Sequence, residues 1–149
     1  MGRTEVVLMD NVKKYLNQLQ KIDIMIKQRQ QERDELRDML GSIGSFDYSK
    51  DRVQTSPSGD AQYAKTVERI ADIEAEVSNL ITDYASRKNI VISQIQALED
   101  PKYVKILYKR YVEFKMLRKI ASEMGYTYQY IILLHGNALK DFGEKIEIL

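Results

Sequence analysis

Lys102, Lys105 and Lys109 recur at steps of three and four, and Lys115, Arg118 and Lys119 follow closely. Residues 101–119 hold seven basic residues against one acidic residue, a local charge of +6 in a chain whose net charge is only +1. Clustered cations of this kind suit a polyanion, because each phosphate they neutralise releases condensed counterions. The face formed by Lys102, Lys105 and Lys109 can equally be a solvated helix surface. Just downstream stand Thr127, Tyr128 and Gln129. A glutamine amide can read adenine through two hydrogen bonds, and threonine and tyrosine hydroxyls can hold phosphates. Lys140 flanks the same face. Ile132 and Leu133 point the same way but offer no hydrogen bond. They suit thymine methyl groups or an apolar protein partner.

The elements that must position these side chains are legible around them. Asp100 and Pro101 are an N-cap and a first helical residue, which predicts a helix from Pro101 to about Phe114. Val104, Leu107, Tyr108 and Tyr111 share its apolar face. A short helix follows from Met116 to Met124. Gly125 ends it, and Thr127 caps the next helix. Ala121 supplies the small residue that a helix-turn-helix needs where its helices cross. Gly125, four positions on, supplies the residue that tolerates positive φ. Ile120, Met124, Ile131 and Leu134 are spaced to pin the two helices. Helical periodicity turns Ile131, Leu134, Ala138 and Phe142 inward, and Tyr128, Gln129, Ile132, Leu133 and Gly136 outward. The N-terminal half of such a second helix enters the major groove of DNA.

Catalytic chemistry finds little support. The chain has no cysteine and one histidine, His135, expected as a partly exposed helix residue with phosphate contact as its alternative. No glycine loop of phosphate-binding type and no spaced metal-ligand set occurs, so no enzyme activity, metal or cofactor is expected. The acidic residues Glu32, Asp34, Glu35 and Asp38 suit a solvated face. No apolar run is long enough to span a membrane, and no signal-peptide core is evident, so a cytoplasmic protein is expected.

Upstream, residues 1–100 predict two long helices. Leu8, Val12, Tyr15, Leu19, Ile22 and Ile26 step alternately by four and three, and the register continues through Arg29 and Arg33 to Leu36 and Leu40. This is an a/d stripe interrupted by arginines, which the nearby acids could pair. Gly41 is the expected stop. A second stripe runs over 61–99 through Tyr63, Val67, Ile70, Val77, Leu80 or Ile81, Tyr84, Val91, Ile95 and Leu98, interrupted by Arg87 and Lys88. Asp60 is its expected N-cap. The matched lengths suggest an antiparallel, coiled-coil-like hairpin joined by a loop over 41–60. Phe46, Tyr48 and Val53 suggest that parts of this loop dock. Leu16, Met25, Met39, Ile73, Ile90 and Ile92 form a residual apolar flank. It should be covered by self-association, or in a monomer by the C-terminal domain.

The stretch ILYKRYVEFKMLRKIASEMGYTYQYIILLHGNALKDF resembles the helix-turn-helix of sigma-factor region 4, in a frame shared with small phage and prophage transcriptional regulators. DRVQTSPSGD is similar to an upstream element of the same regulators, which include the ArpU- and RinA-like late-gene activators. Sigma-like readers usually carry polar residues where this chain has Ile132 and Leu133. The resemblance implies an all-α phage regulator of late genes, acting beside host RNA polymerase on double-stranded DNA in the bacterial cytoplasm.

The resulting expectation is a helical hairpin and oligomerisation region over 1–100, followed by a three-helix DNA-binding domain over 101–149. The homo-oligomer should be a dimer or tetramer. One alternative is a small-terminase-like packaging factor, although that family places its DNA domain first. Another is a module whose Ile132 and Leu133 face contacts polymerase or a repressor.

Overall fold

The computed structural model describes residues 2–44 and 57–146. Among these residues the chain is all-α, with six helices and no strand. The helices are α1 (Gly2–Leu16), α2 (Gln18–Gly44), α3 (Pro57–Gln96), α4 (Pro101–Tyr111), α5 (Leu117–Met124) and α6 (Tyr128–Ile146). None of them is long and apolar enough to cross a membrane.

Two compact units are present: Met1–Asp23 with Tyr84–Leu149, and Ile24–Asp83. In the first unit, α4, α5 and α6 pack on one another, and α1 packs on α6. Its core joins residues from both ends of the chain: Val12, Leu16 and Leu19; Val91, Ile95 and Leu98; and Ile106, Leu107, Ile120, Ile131, Leu139 and Phe142. Leu16, assigned by periodicity to the outer flank, is fully buried here. The Tyr15 and Phe142 rings lie 6.2 Å apart, and the Tyr15 hydroxyl donates to Gln94 Oε1 at 2.5 Å. Gly143 makes the approach of α1 to α6 possible, since a Cβ there would lie 2.8 Å from Val12 Cγ2.

In the second unit, Ile70, Ile73 and Val77 are buried, and Ile73, another flank residue, is fully so. Met25, Met39, Tyr63, Val67 and Ile81 remain exposed. The arginine interruption is paired both locally and across helices. Arg29 meets Glu32 at 2.9 Å and Glu76 at 3.1 Å, and Arg33 meets Asp34 at 3.1 Å; outside the interruption, Arg69 meets Glu32 at 3.0 Å and Arg37 meets Glu74. These groups are well hydrated, so the pairs select alignment more than they add stability.

Several boundaries differ from the expectation. Helix begins at Gly2, and the first stripe is divided between α1 and α2 at Asn17. Helical hydrogen bonding still crosses that junction: Asn17 N–H donates to Lys13 O, and Lys21 N–H donates to Asn17 O. Gly41 lies inside α2, because one glycine in a helix costs only about 1 kcal/mol and need not end it. Asp60 lies in the first turn of α3 rather than capping it, since Pro57 provides an earlier start with φ already suited to a helix. Its carboxylate still favours that end of the helix. Phe46, Tyr48 and Val53, and residues 51–56 of the upstream element, lie outside the described residues.

Gly143→Ala is expected to destabilise the protein. The clash with Val12 should cost about 1–3 kcal/mol, against ~1 kcal/mol gained in helix propensity. Urea unfolding should show a net loss, and a more stable variant would contradict the close approach of α1.

Candidate nucleic-acid interface

The basic side chains are carried by α4, the segment after it, α5 and α6. Asp100 caps α4, its carboxylate accepting from Lys102 N–H at 2.9 Å, with Pro101 in the first turn. Ile106, Leu107 and Tyr111 bury one side of α4, while Lys102 and Lys105 are exposed. Lys102 is held above the ordinary lysine range, first by a hydrogen bond with Tyr130 and then by the nearby phenolic groups. Its ammonium also lies 5.9 Å from the Tyr126 ring centre.

Helix α4 ends at Tyr111, three residues before the expected stop at Phe114. Phe114 takes φ 60, a left-handed conformation unusual for an aromatic residue, while packing against the core. The turn it makes brings Lys115 N–H to Lys109 O at 3.0 Å and starts α5 at Leu117. The Arg118 guanidinium then lies 4.2 Å from the Tyr128 ring centre, a cation–π contact between the start of α5 and the start of α6. Lys119 is exposed beside it.

The turn between α5 and α6 follows from local chemistry. Gly125 has φ 73, and both its own N–H and that of Tyr126 reach Ala121 O. The Tyr126 bond is the 6→1 bond of a Schellman ending and the Gly125 bond is the 5→1 bond of an αL cap, and both favour glycine at the left-handed position. Thr127 Oγ1 accepts from Tyr130 N–H at 3.2 Å and so caps α6. Ile120, Ala121, Ile131 and Leu134 are buried, and Met124 is half-buried. Thr127 and Gln129 are exposed, and Tyr128 is half-buried. Ile132 and Leu133 keep 47% and 59% of their surface, large values for apolar side chains on an otherwise packed helix. Lys140 is exposed and lies 4.0 Å from the Glu5 carboxylate.

Two expectations on α6 need correction. Gly136 faces solvent only in part: it is half-buried, and a Cβ there would lie 3.8 Å from Met9 Cε. The approach of α1 accounts for this. His135 is not partly exposed but buried, with Nε2 2.8 Å from the Tyr111 hydroxyl and the two rings stacked. Burial, aided by Lys13 and Arg110, lowers its pKa to about 4, so the ring is neutral near pH 7 and poorly placed to hold phosphate. Burial also raises Tyr111 to about 12.

Sequence reasoning missed Glu123. Its carboxylate takes Lys115 at 2.8 Å and Lys109 at 3.3 Å. These partners are 8 and 14 residues away, so no helical spacing announces the pairing. Lys115 also meets Glu113 at 2.7 Å. The basic segment is therefore partly neutralised at Lys109 and Lys115, while Lys105, Arg118 and Lys119 have no acid pair among the described residues. Among the described residues, no three His, Cys, Asp or Glu side chains converge as a metal site.

Comparison with protein-family models, with curated proteins and with solved structures finds no match.

His135 gives a pH test. Its folded pKa lies below the ordinary value, so its contribution to stability is fully present above pH ~6.5. It is lost as pH falls towards 4, where protonation favours the unfolded chain. The loss should approach about 3 kcal/mol. His135→Gln should flatten that limb of a stability–pH curve. An identical slope in both proteins would assign the acid sensitivity to other groups.

Proposed function

We propose that this chain is a DNA-binding transcriptional regulator, with α5 and α6 acting as a helix-turn-helix. The observation that carries this reading is the exposed polar and basic surface around the start of α6. Lys119, Thr127, Gln129 and the Arg118–Tyr128 pair surround it, and an ordered glycine turn stands behind it. In this reading Arg118, Lys119, Lys105 and Lys102 meet phosphates, and Gln129 meets a base edge. Ile132 and Leu133 supply apolar contact to thymine methyl groups. Binding is therefore phosphate-dominated, with modest base discrimination.

The resemblance to sigma region 4 and to ArpU- and RinA-like regulators extends the proposal to phage late-gene control beside host RNA polymerase, and assigns no catalytic role. Support for a long antiparallel hairpin comes from the pairing of residue 29 with 76 and residue 32 with 69. Support for self-association comes from the second unit, where Met25, Met39, Tyr63, Val67 and Ile81 are exposed beside a small buried set. An apolar surface of this kind is costly to leave in water. A dimer or tetramer is expected. The exposure of Ile132 and Leu133 favours, as a second reading, a protein contact with polymerase or a repressor.

Fluorescence anisotropy with duplex DNA from the gene's own upstream region should show binding that weakens steeply with salt. Lys119→Gln should weaken binding to all sequences alike and reduce the salt slope by about 1. A folded protein that binds no duplex even at low salt would remove the DNA reading.

Sedimentation velocity should give two or four copies. A closed ring of many subunits would instead support a packaging role of the small-terminase kind.

A further inference from the structure

Lys102, Lys105, Lys109, Glu123, Met124 and Tyr126 line one shallow groove. Glu123 is the single acid among them, and it faces three lysines. Its carboxylate is held below the ordinary glutamate range, first by the hydrogen bond from Lys115 and also by Lys109. As hydrated surface pairs, these contacts contribute little to folding. Their larger consequence is to occupy two cations in the most basic part of the chain.

We propose that Glu123 is an electrostatic brake on DNA binding: it holds Lys109 and Lys115 in ion pairs that duplex phosphates must displace. The proposal rests on the DNA-binding reading above and specifies how that surface is restrained. A lysine already paired with a carboxylate adds little to counterion release when phosphate replaces the carboxylate, because one anion is exchanged for another. The same lysine without its partner adds a full phosphate contact to the sequence-independent attraction. Glu123 therefore lowers affinity for arbitrary DNA while leaving Gln129, Ile132 and Leu133 unaffected. The share of binding that depends on sequence rises accordingly.

The two lysines are restrained unequally, which makes the idea graded. Lys109 is paired with Glu123 at 3.3 Å. Lys115 is paired with both Glu123, at 2.8 Å, and Glu113, at 2.7 Å. Glu123→Gln should release Lys109 and leave Lys115 on Glu113. The double substitution of Glu113→Gln and Glu123→Gln should release both.

The test is titration of a short duplex of arbitrary sequence against the full-length protein across a salt series. Glu123→Gln should bind about tenfold more tightly at low salt, with a log–log salt slope steeper by about one. The double variant should be steeper by about two. Adding Lys109→Gln to Glu123→Gln should return the slope to that of the unsubstituted protein. Equal melting temperatures would show that the fold is not responsible. If the unsubstituted protein binds and the variants share its affinity and slope, the brake is overturned while the DNA reading stands. If none of the proteins binds duplex at low salt, both fall.

Discussion

Burial of one face of α6 is the constraint on which the first unit depends. Phe142, Leu139, Ile131 and Ala138 are fully enclosed, and that enclosure needs α1 on one side and α4 and α5 on the other. The scale of such burial, about 1.5–3 kcal/mol for each large apolar side chain, exceeds what any surface ion pair contributes. Ile131 belongs to that enclosed face, so its neighbours Gln129, Ile132 and Leu133 can point outward without carrying the fold themselves. The same division explains why the basic residues stand on short elements. Helices α4 and α5 are anchored by a few core residues each, leaving their remaining faces for lysine and arginine.

Much of this was legible in the sequence because local chemistry decided it. Asp100 and Pro101 start a helix by capping and by φ, and Gly125 ends one by its freedom at positive φ. The inward face of α6 follows from the 3.6-residue period through Ile131, Leu134, Ala138 and Phe142. What remained hidden was set by distant neighbours. Leu16 belongs to the residual flank by heptad spacing, which left self-association and the C-terminal domain as its possible cover; it is buried where residues 1–23 join the C-terminal helices in one unit. Gly136 faces outward by counting, yet Met9 lies over it. His135 occupies a helix position that period alone cannot distinguish from solvent, and Tyr111 gives it a buried partner.

The candidate surface was legible as a composition and hidden as a circuit. Seven basic residues among 101–119 are plain in the sequence. Their effective charge is not, because Glu123 lies on another helix and is brought to Lys109 and Lys115 by the turn at Phe114. That turn places Phe114 in the left-handed region, where no turn preference would put an aromatic residue. Core packing of Phe114 overrides local propensity there, and so decides which cations are shared and which stand alone.

The Tyr111–His135 hydrogen bond has a geometric consequence of its own. Apolar packing is non-directional and tolerates small rotations of a helix about its axis, whereas a buried hydrogen bond weakens steeply when its angle is lost. Because it ties α4 to α6 inside the core, it works as a phase pin. Each residue step turns a helix by roughly 100°, so a slip of one residue would turn Leu133 into the buried position of Leu134, or Ile132 into that of Ile131, depending on its direction. The orientation of the exposed face is thus indexed from within by a pair of side chains that solvent barely touches.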